Sequence, residues 1–280
     1  MSAHPYFDVT AALLTQHGKE RALAPLFRDA LSIRLVVARG LNTDWFGTFT
    51  REFPRRGTQA DAAHGKACWA SRLARLEFGL GSEGAFVPGP FGVGAVDVEL
   101  VTWVDARRRL RVTGAASAPS VHHHQLVRTE PELVDAVRRC RFPSHAVVVR
   151  PDGPHGARAT RGLATWPELE AAFQGARRRS ANGTVFVEND LRAHVHPSRM
   201  ALITRAAEDL LQRLQTLCPR CAAPGFGRAR VIPGNPCRCC GSPTTEALAD
   251  EFGCVACPFR DSRPRAAAAA DPERCPQCNP

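Results

Sequence analysis

The 280-residue sequence predicts a mixed α/β fold, a mixed sheet covered by helices, with a small C-terminal double zinc-ribbon-like module. Three observations predict it. Short apolar runs alternate with segments of helical spacing as far as Leu217. Nine of the eleven cysteines lie between Cys218 and Cys278. The apolar content of 44% and charged content of 23% suit a globular chain rather than a disordered one. The cysteine distribution sets the expected boundary: 1–217 as an α/β domain with a candidate ligand cleft, and 218–280 as a zinc-binding module with two four-cysteine sites.

The elements follow in order. Phe7 to Thr15 is an apolar run ending in a polar turn, and Lys19 to Leu31 has helical spacing at Ala22, Leu23, Leu26, Phe27 and Ala30. Ile33 to Ala38 reads as a strand. Thr58 opens a helix with Asp61 as its capping-box partner, running to about Glu77. Phe78 to Gly84 reads as a strand feeding a glycine-rich loop that continues to Gly94. Val96 to Val104 and Leu110 to Thr113 suggest a hairpin. Pro131 to Arg139 and Pro167 to Arg179 read as helices, the second with Pro in its first turn, and Ala146 to Val149 and Thr184 to Val187 as strands. Ser198 to Leu217 is the longest amphipathic helix. Ala266 to Ala270 reads as a spacer.

The formal charge is +10, but 35 of the 37 basic residues are Arg and they are spread along the chain. That pattern speaks more of composition bias than of a designed phosphate-tracking surface, so nucleic acid is the less favoured partner. No apolar run approaches the ~18 residues a membrane helix needs, so no membrane association is expected. The N-terminal residues lack a signal-peptide pattern, which makes the cytoplasm the expected location. Eleven cysteines in a reducing compartment favour metal ligation or free thiols over disulfides.

Four two-cysteine knuckles follow the long helix: Cys218 with Cys221, Cys237 with Cys240, Cys254 with Cys257, and Cys275 with Cys278. Such a turn points two thiolates at one tetrahedral cation, and two turns close a four-cysteine zinc site. The gaps of 15 residues after Cys221 and 17 after Cys257 match zinc-ribbon spacing. Sequential pairing, first knuckle with second and third with fourth, is the simplest arrangement. The crossed arrangement, first with third and second with fourth, fits almost as well. Four protein ligands leave no open position, so the expected role is structural. Cys239 is read as an unligated neighbour, and Cys68 and Cys140 as small core residues. From Cys218 onward eight Arg face six Asp and Glu, a balance that favours a protein partner over nucleic acid.

In the first domain the two lysines stand out, because each follows His-Gly: His17-Gly18-Lys19 and His64-Gly65-Lys66. Lys19 opens a helix after a strand, where N–H groups and the dipole favour an anion. Gln59 and Lys66 share a helix face. Ser82 and Glu83 stand among glycines that permit close approach of a ligand, and Glu83 could hold a divalent cation or activate water. Arg51, Glu52, Arg55 and Arg56 precede the helix. In an extended segment Glu188, Asp190, Arg192, His194 and His196 would share one face, with Arg199 just beyond. A solvated edge is the plain alternative for that face. The run His122-His123-His124 reads as an exposed loop.

At these residues the chain resembles the domain-of-unknown-function 6671 family of uncharacterised bacterial proteins. The stretches that carry the resemblance are Thr15–Glu20, Phe46–Glu52, Gly57–Gln59, Gly81–Phe86, Asp190–His194, Pro197–Met200 and the knuckles ending at Cys278-Asn-Pro280. The resemblance implies an N-terminal α/β domain and a C-terminal zinc-ribbon region, and implies no activity. A looser likeness of topology is to house-cleaning nucleoside-triphosphate pyrophosphatases of the ITPase type, in the order Thr15, Lys19, Lys66, Glu83. His17 stands where Asn is usual there, Lys19 comes one residue early, and the acidic pattern is reduced to Ser82-Glu83-Gly84.

Two functions are therefore expected. One is a hydrolase-like enzyme acting on a small phosphorylated or nucleotide substrate. Lys19, Glu52, Lys66, Glu83, Asp190 and His194 would be its catalytic residues, and His17, Arg51, Gln59, Ser82, Arg192 and Arg199 would bind substrate. Its metals would be two structural Zn²⁺ and, at the cleft, Mg²⁺ or Mn²⁺. The alternative is a non-catalytic binding protein whose zinc module docks a protein or nucleic-acid partner.

Overall fold

The computed structural model describes residues 4–47, 55, 57–89, 92–155, 159–265 and 268–280. They form two compact units, Phe7–Leu210 and, separately, the residues up to Tyr6 with Leu211–Pro280.

The larger unit holds two sheets. The first comprises β1 (Thr10–Leu14), β2 (Arg34–Ala38), β3 (Phe78–Pro88), β4 (Ala95–Asp105) and β5 (Leu110–Pro119), in the order β2-β1-β3-β4-β5. β1 is parallel to β2 and β3, and the β3-β4-β5 meander is antiparallel. The parallel contacts are joined by α1 (Glu20–Leu31) and α2 (Gln59–Ala74), as crossover connections require. Thr58 and Asp61 form the expected reciprocal capping box at the start of α2.

The glycine-rich stretch after Phe78 departs from expectation. It is not a strand end but an eleven-residue strand, so Ser82 and Glu83 lie mid-strand opposite Val101 and Leu100. The glycines serve packing. A Cβ at Gly79 would lie 2.0 Å from the Ala67 carbonyl oxygen and one at Gly81 2.3 Å from that of Ala63, so α2 rests directly on the β3 backbone. The register puts Gly79, Gly81 and Glu83 on this face. Leu80, Ser82 and Gly84 share the other face with Trp103, Val101 and Glu99. On that second face Trp103 stacks on Phe27 of α1 and on Phe78 at centroid distances of 6.3 and 5.3 Å. Gly114 there admits the backbone of α5 (Pro197–Gln215) at Ala206 and Leu210.

The second sheet comprises β6 (His124–Val127), β7 (Val147–Pro151), β8 (Thr160–Leu163) and β9 (Val185–Asn189), ordered β6-β9-β7-β8 and antiparallel throughout. Its core is filled by α3 (Glu130–Arg139) and α4 (Trp166–Arg179), through Leu133, Val137, Leu169 and Phe173 against Val147, Val149, Val185 and Val187. Cys140 is buried in this cluster. The four-residue edge strands β6 and β8 escape the sequence pattern because neither has room for a period of two to show. The histidine run is thus part strand: His124 opens β6, and His122 packs against Phe86 at 5.6 Å.

The smaller unit carries an antiparallel sheet β10-β11-β12 (Gly227–Pro233, Ala247–Gly253, Arg260–Pro264). Phe226, Phe252 and Phe259 pack beside Cys218 and Cys254 as its small core. The alanine run is more than a spacer. Ala270 is buried and its N–H and carbonyl bond Pro236 and Arg238 beside Cys237. Among the described residues no helix is long and apolar enough to cross a membrane.

Candidate functional site

The cysteines form two groups, Cys218/Cys221/Cys254/Cys257 and Cys237/Cys240/Cys275/Cys278, and within each all four sulfurs lie within 4.8 Å of one another. The pairing is therefore crossed, and the sequential arrangement is overturned. The reason is the hairpin: β10 and β11 carry the chain away from the first knuckle and back, so the third knuckle closes on the first and not on its neighbour. Sulfur–sulfur distances are 3.8 and 3.6 Å in the first group and 3.9 and 3.6 Å in the second. Thiolates at roughly 2.3 Å from a tetrahedral metal stand roughly 3.8 Å apart, so the spacing fits zinc and is far too long for disulfides.

The knuckles are built alike. Ala222 and Gly241, each following the second cysteine of its knuckle, have φ of 56° and 73°, and each donates its N–H to the carbonyl of the first cysteine. Backbone N–H groups of Cys239 and Ala256 point at the sulfurs of Cys237 and Cys254, as expected around a thiolate. Cys239 itself stands outside both groups.

In the larger unit a cavity of about 140 Å³ opens where β1 and β9 end, beside the middle of β3. Thr15, Gln16, His17 and Lys19 line it from the β1–α1 loop, and Ser82, Glu83 and Gly84 from β3. Asp190, Leu191, Arg192 and Ala193 come from the segment after β9, joined by Lys66, Arg161 and Arg199. Lys19, Glu83 and Asp190, 171 residues apart at the extremes, thus share one cavity. Gly18, at φ 64°, allows the sharp entry into α1.

Burial decides the electrostatics. Lys19 is 8% exposed and its Nζ donates to Ser82 Oγ at 2.7 Å. Burial brings its pKa down to about 8, with Lys66 and Arg199 lowering it further and Glu99 and Glu83 opposing. Glu83 accepts from Lys66 Nζ at 2.5 Å and Arg55 Nη2 at 2.7 Å, so it is already neutralised. Asp190 accepts from the Gly162 N–H and a bidentate Arg192, fixing that guanidinium at the cavity wall. Arg199, 2% exposed, bonds Glu99 Oε1 through Nε and Nη2 at 2.8 and 2.5 Å. Gly84 is required there, since a Cβ would stand 2.2 Å from Arg199 Nη2. Asp97 lies 3.9 Å from Arg199, and burial with the Glu99 charge raises its carboxyl to about 7. The rings of His17 and His194 stack at 5.2 Å. Burial and then Lys19 bring the His17 pKa to about 3, and burial and then Arg192 lower that of His194, so both imidazoles are neutral at pH 7.

Other expected site residues fall elsewhere. Gln59 is not in the cavity wall; its amide donates to the carbonyls of Glu83 and Val98 and ties β3 to β4. Arg51 and Glu52 lie outside the described residues. The single face expected for 188–196 does not exist. β9 ends at Asn189 and residues 193–195 form a 3-10 turn, so the alternation is lost. Glu188 turns to Arg150 in a buried pair at 2.5 Å, and His196 to the Val121 carbonyl, leaving Asp190 and Arg192 in the cavity wall and His194 stacked on His17 behind it. Sequence reasoning passed over Asp97, Glu99 and Arg161. The signal for the first two was present: two carboxylates at i and i+2 inside an apolar strand share a face and need buried partners.

The fold and these sites define a two-unit protein, an α/β unit with a cationic cavity and a module with two four-cysteine clusters that could hold zinc. The model of the family described as Domain of unknown function (DUF6671) matches residues 66–280, and the chain belongs to that family. No curated protein and no solved structure matches it. The matched span includes Lys66, Glu83, Asp190, Arg192, Arg199 and all eight clustered cysteines, and begins after His17 and Lys19.

Proposed function

We propose that the cavity binds a small phosphorylated ligand, nucleotides included, and acts on it in a hydrolase-like reaction, while each cysteine cluster holds a structural zinc ion. One observation carries the first part. The cavity wall bears five cations (Lys19, Lys66, Arg161, Arg192, Arg199) against two carboxylates, Glu83 and Asp190. Among the described residues the ion-paired outer partners include one of each sign, Arg55 on Glu83 and Glu99 on Arg199. A surplus of cation in a largely dry site favours an anion.

In this reading Lys66, Arg161 and Arg192 face phosphate oxygens, with Arg51 expected to join them. The neutral His17 and His194 are available to move a proton. Mg²⁺ or Mn²⁺ would enter with the ligand's phosphates, with Glu52 as the expected carboxylate ligand, because Glu83 is occupied by Lys66 and Arg55 and Asp190 by Arg192. Four thiolates per zinc leave no position for substrate, so the clusters act in folding. A reducing compartment keeps such thiolates, and the reading assigns the protein to the cytoplasm.

The test is calorimetric titration of the zinc-loaded protein with orthophosphate, pyrophosphate and nucleoside phosphates, then turnover with and without Mg²⁺ or Mn²⁺. Binding should weaken with salt and fall in Arg192→Ala. If nothing binds, the reading fails. If ligands bind but no substrate turns over faster than with a Lys19→Met/Glu83→Gln variant, the enzyme half fails.

A second reading rests on the module's exposed Leu217, Val231, Leu248 and Val255. They favour a protein partner for the zinc module. Nucleic acid is disfavoured, because Arg228, Arg230, Arg238, Arg260, Arg263, Arg265 and Arg274 each already face a carboxylate. A strongly salt-dependent association with DNA or RNA would overturn that preference.

A further inference from the structure

We propose that Ser82 is a catalytic nucleophile and Lys19 the base that activates it, so that a phosphate ester in the cavity is cleaved through a covalent phosphoserine at Ser82. The inference rests on the phosphate-ligand reading and adds to it the residue that makes the bond.

The geometry carries it. Lys19 Nζ and Ser82 Oγ are 2.7 Å apart, the two residues are 8% and 2% exposed, and both line the cavity. Ser82 sits mid-β3, paired with Val101 of β4, so its hydroxyl is fixed on a strand rather than carried on a loop. The neighbouring carboxylates are ion-paired elsewhere: Glu83 to Lys66 and Arg55, Glu99 through Oε1 to Arg199, Asp190 to Arg192, with Asp97 3.9 Å from Arg199. Lys19 therefore has no carboxylate contact among the described residues, and its nearest polar partner is the serine. A dry ammonium in that position loses its proton more readily than one in an ion pair. The groups facing it oppose one another, Lys66, Arg199 and His17 against Glu99, Glu83 and Asp97, and burial is the largest influence. The guanidinium groups of the wall cannot exchange a proton at these pH values, so Lys19 is the group able to do so at Ser82. A serine–lysine pair is one of the recurring forms of an activated hydroxyl nucleophile.

The step balances. With Lys19 as the amine, the hydrogen bond reverses and Ser82 Oγ–H donates to Nζ. Oγ attacks phosphorus, the ester O–P bond breaks, and Lys19 takes the serine proton and passes it to the leaving alkoxide. Water then attacks the phosphoserine, again giving a proton to Lys19. The Oγ–P bond breaks, Ser82 recovers its proton from Lys19, and orthophosphate leaves. Lys66, Arg161 and Arg192 face the charge that develops on the phosphoryl oxygens.

Dimethyl fluorophosphate tests this without knowledge of the substrate, since Oγ–P formation releases fluoride and leaves a stable ester that peptide mass mapping locates. On the zinc-loaded wild-type chain, labelling is expected at Ser82. Its rate should rise roughly tenfold per pH unit until Lys19 is neutral and then level off. Lys19→Arg keeps the cation but not the base, and should slow labelling by about 10²- to 10⁴-fold. Absence of label on Ser82, a rate indifferent to pH, or equal labelling of Lys19→Arg would overturn the proposal. Orthophosphate binding, measured in parallel on wild type and Ser82→Ala, separates the two failures. Binding without Ser82 labelling sinks the nucleophile and leaves the cavity reading standing. Loss of binding in wild type sinks that reading itself.

Discussion

The two units handle positive charge in opposite ways. In the smaller unit, pairs such as Arg230–Glu251 at 3.0 Å and Arg263–Asp261 at 2.8 Å sit at the surface with arginines 68% and 57% exposed. Water screens such pairs, and they contribute little to stability. The fold there depends on eight sulfurs and a handful of phenylalanines. In the larger unit Arg199–Glu99, Lys66–Glu83 and Arg150–Glu188 are nearly dry. Each of these charges must keep its partner, and one cation, Lys19, has only a hydroxyl. The contrast teaches where chemistry can be done. Screened charges solubilise the module of cysteine clusters, and unscreened ones are where a site can form.

The largest effect expected is metal removal. A strong chelator should unfold residues 211–280, with about 10 kcal/mol or more of metal-linked folding energy lost per site. The pairing is tested in the same protein by metal counting. Cys218→Ser/Cys254→Ser should retain one zinc per chain and Cys218→Ser/Cys237→Ser none; the reverse result would restore sequential pairing. Next is Glu99→Ala, which leaves Arg199 buried without its main partner. Destabilisation of roughly 3–5 kcal/mol is expected in chemical denaturation. A change under 1 kcal/mol would mean that water or Asp97 compensates, and that the dry pairs are less distinct from the wet ones than their burial suggests.

The pH dependence is smaller. His17 has a folded pKa near 3, below its unfolded value near 6.5, so between these the unfolded chain binds more protons. Its contribution is to lose stability as pH falls from about 6.5 toward 3. Asp97 runs the other way, with a folded value near 7 above an unfolded one near 3.8, and stability is lost as pH rises through that window. Melting temperatures of His17→Gln should fall less steeply than wild type below pH 6.5; parallel curves would rule out His17 as a source. Smallest of all, Arg230→Ala should leave the melting temperature unchanged within error, and a clear drop would show that the module's surface pairs act as a network.

Legibility differed by region. The eight clustered cysteines were readable because a knuckle is local: four residues fix the direction of two sulfurs. Their pairing was not, because it depends on which way β10 and β11 turn the chain. Lys19, Lys66, Glu83, Asp190 and Arg192 were readable as candidates from residue type and place beside strands. The 188–196 segment misled because alternation holds only while the chain stays extended, and it ends at Asn189. Ser82 was expected at a strand end running into a loop, because three glycines in six positions resemble a turn. They instead admit α2 on one face of the strand and Arg199 on the other.

By itself the sequence determined the α/β class, most helices, the cap of α2 and the identity of the thiol ligands, all properties set by neighbours within a turn or a knuckle. Tertiary structure alone decided the crossed pairing of the clusters, the burial of Arg199 on Glu99 across 100 residues, and the meeting of Lys19 with Ser82 across 63. These depend on strand register and helix docking. Packing gives Glu83 two cationic partners, and burial makes two imidazoles neutral and a lysine able to give up its proton, because the cost of a charge is set by the dielectric around it and not by its place in the chain.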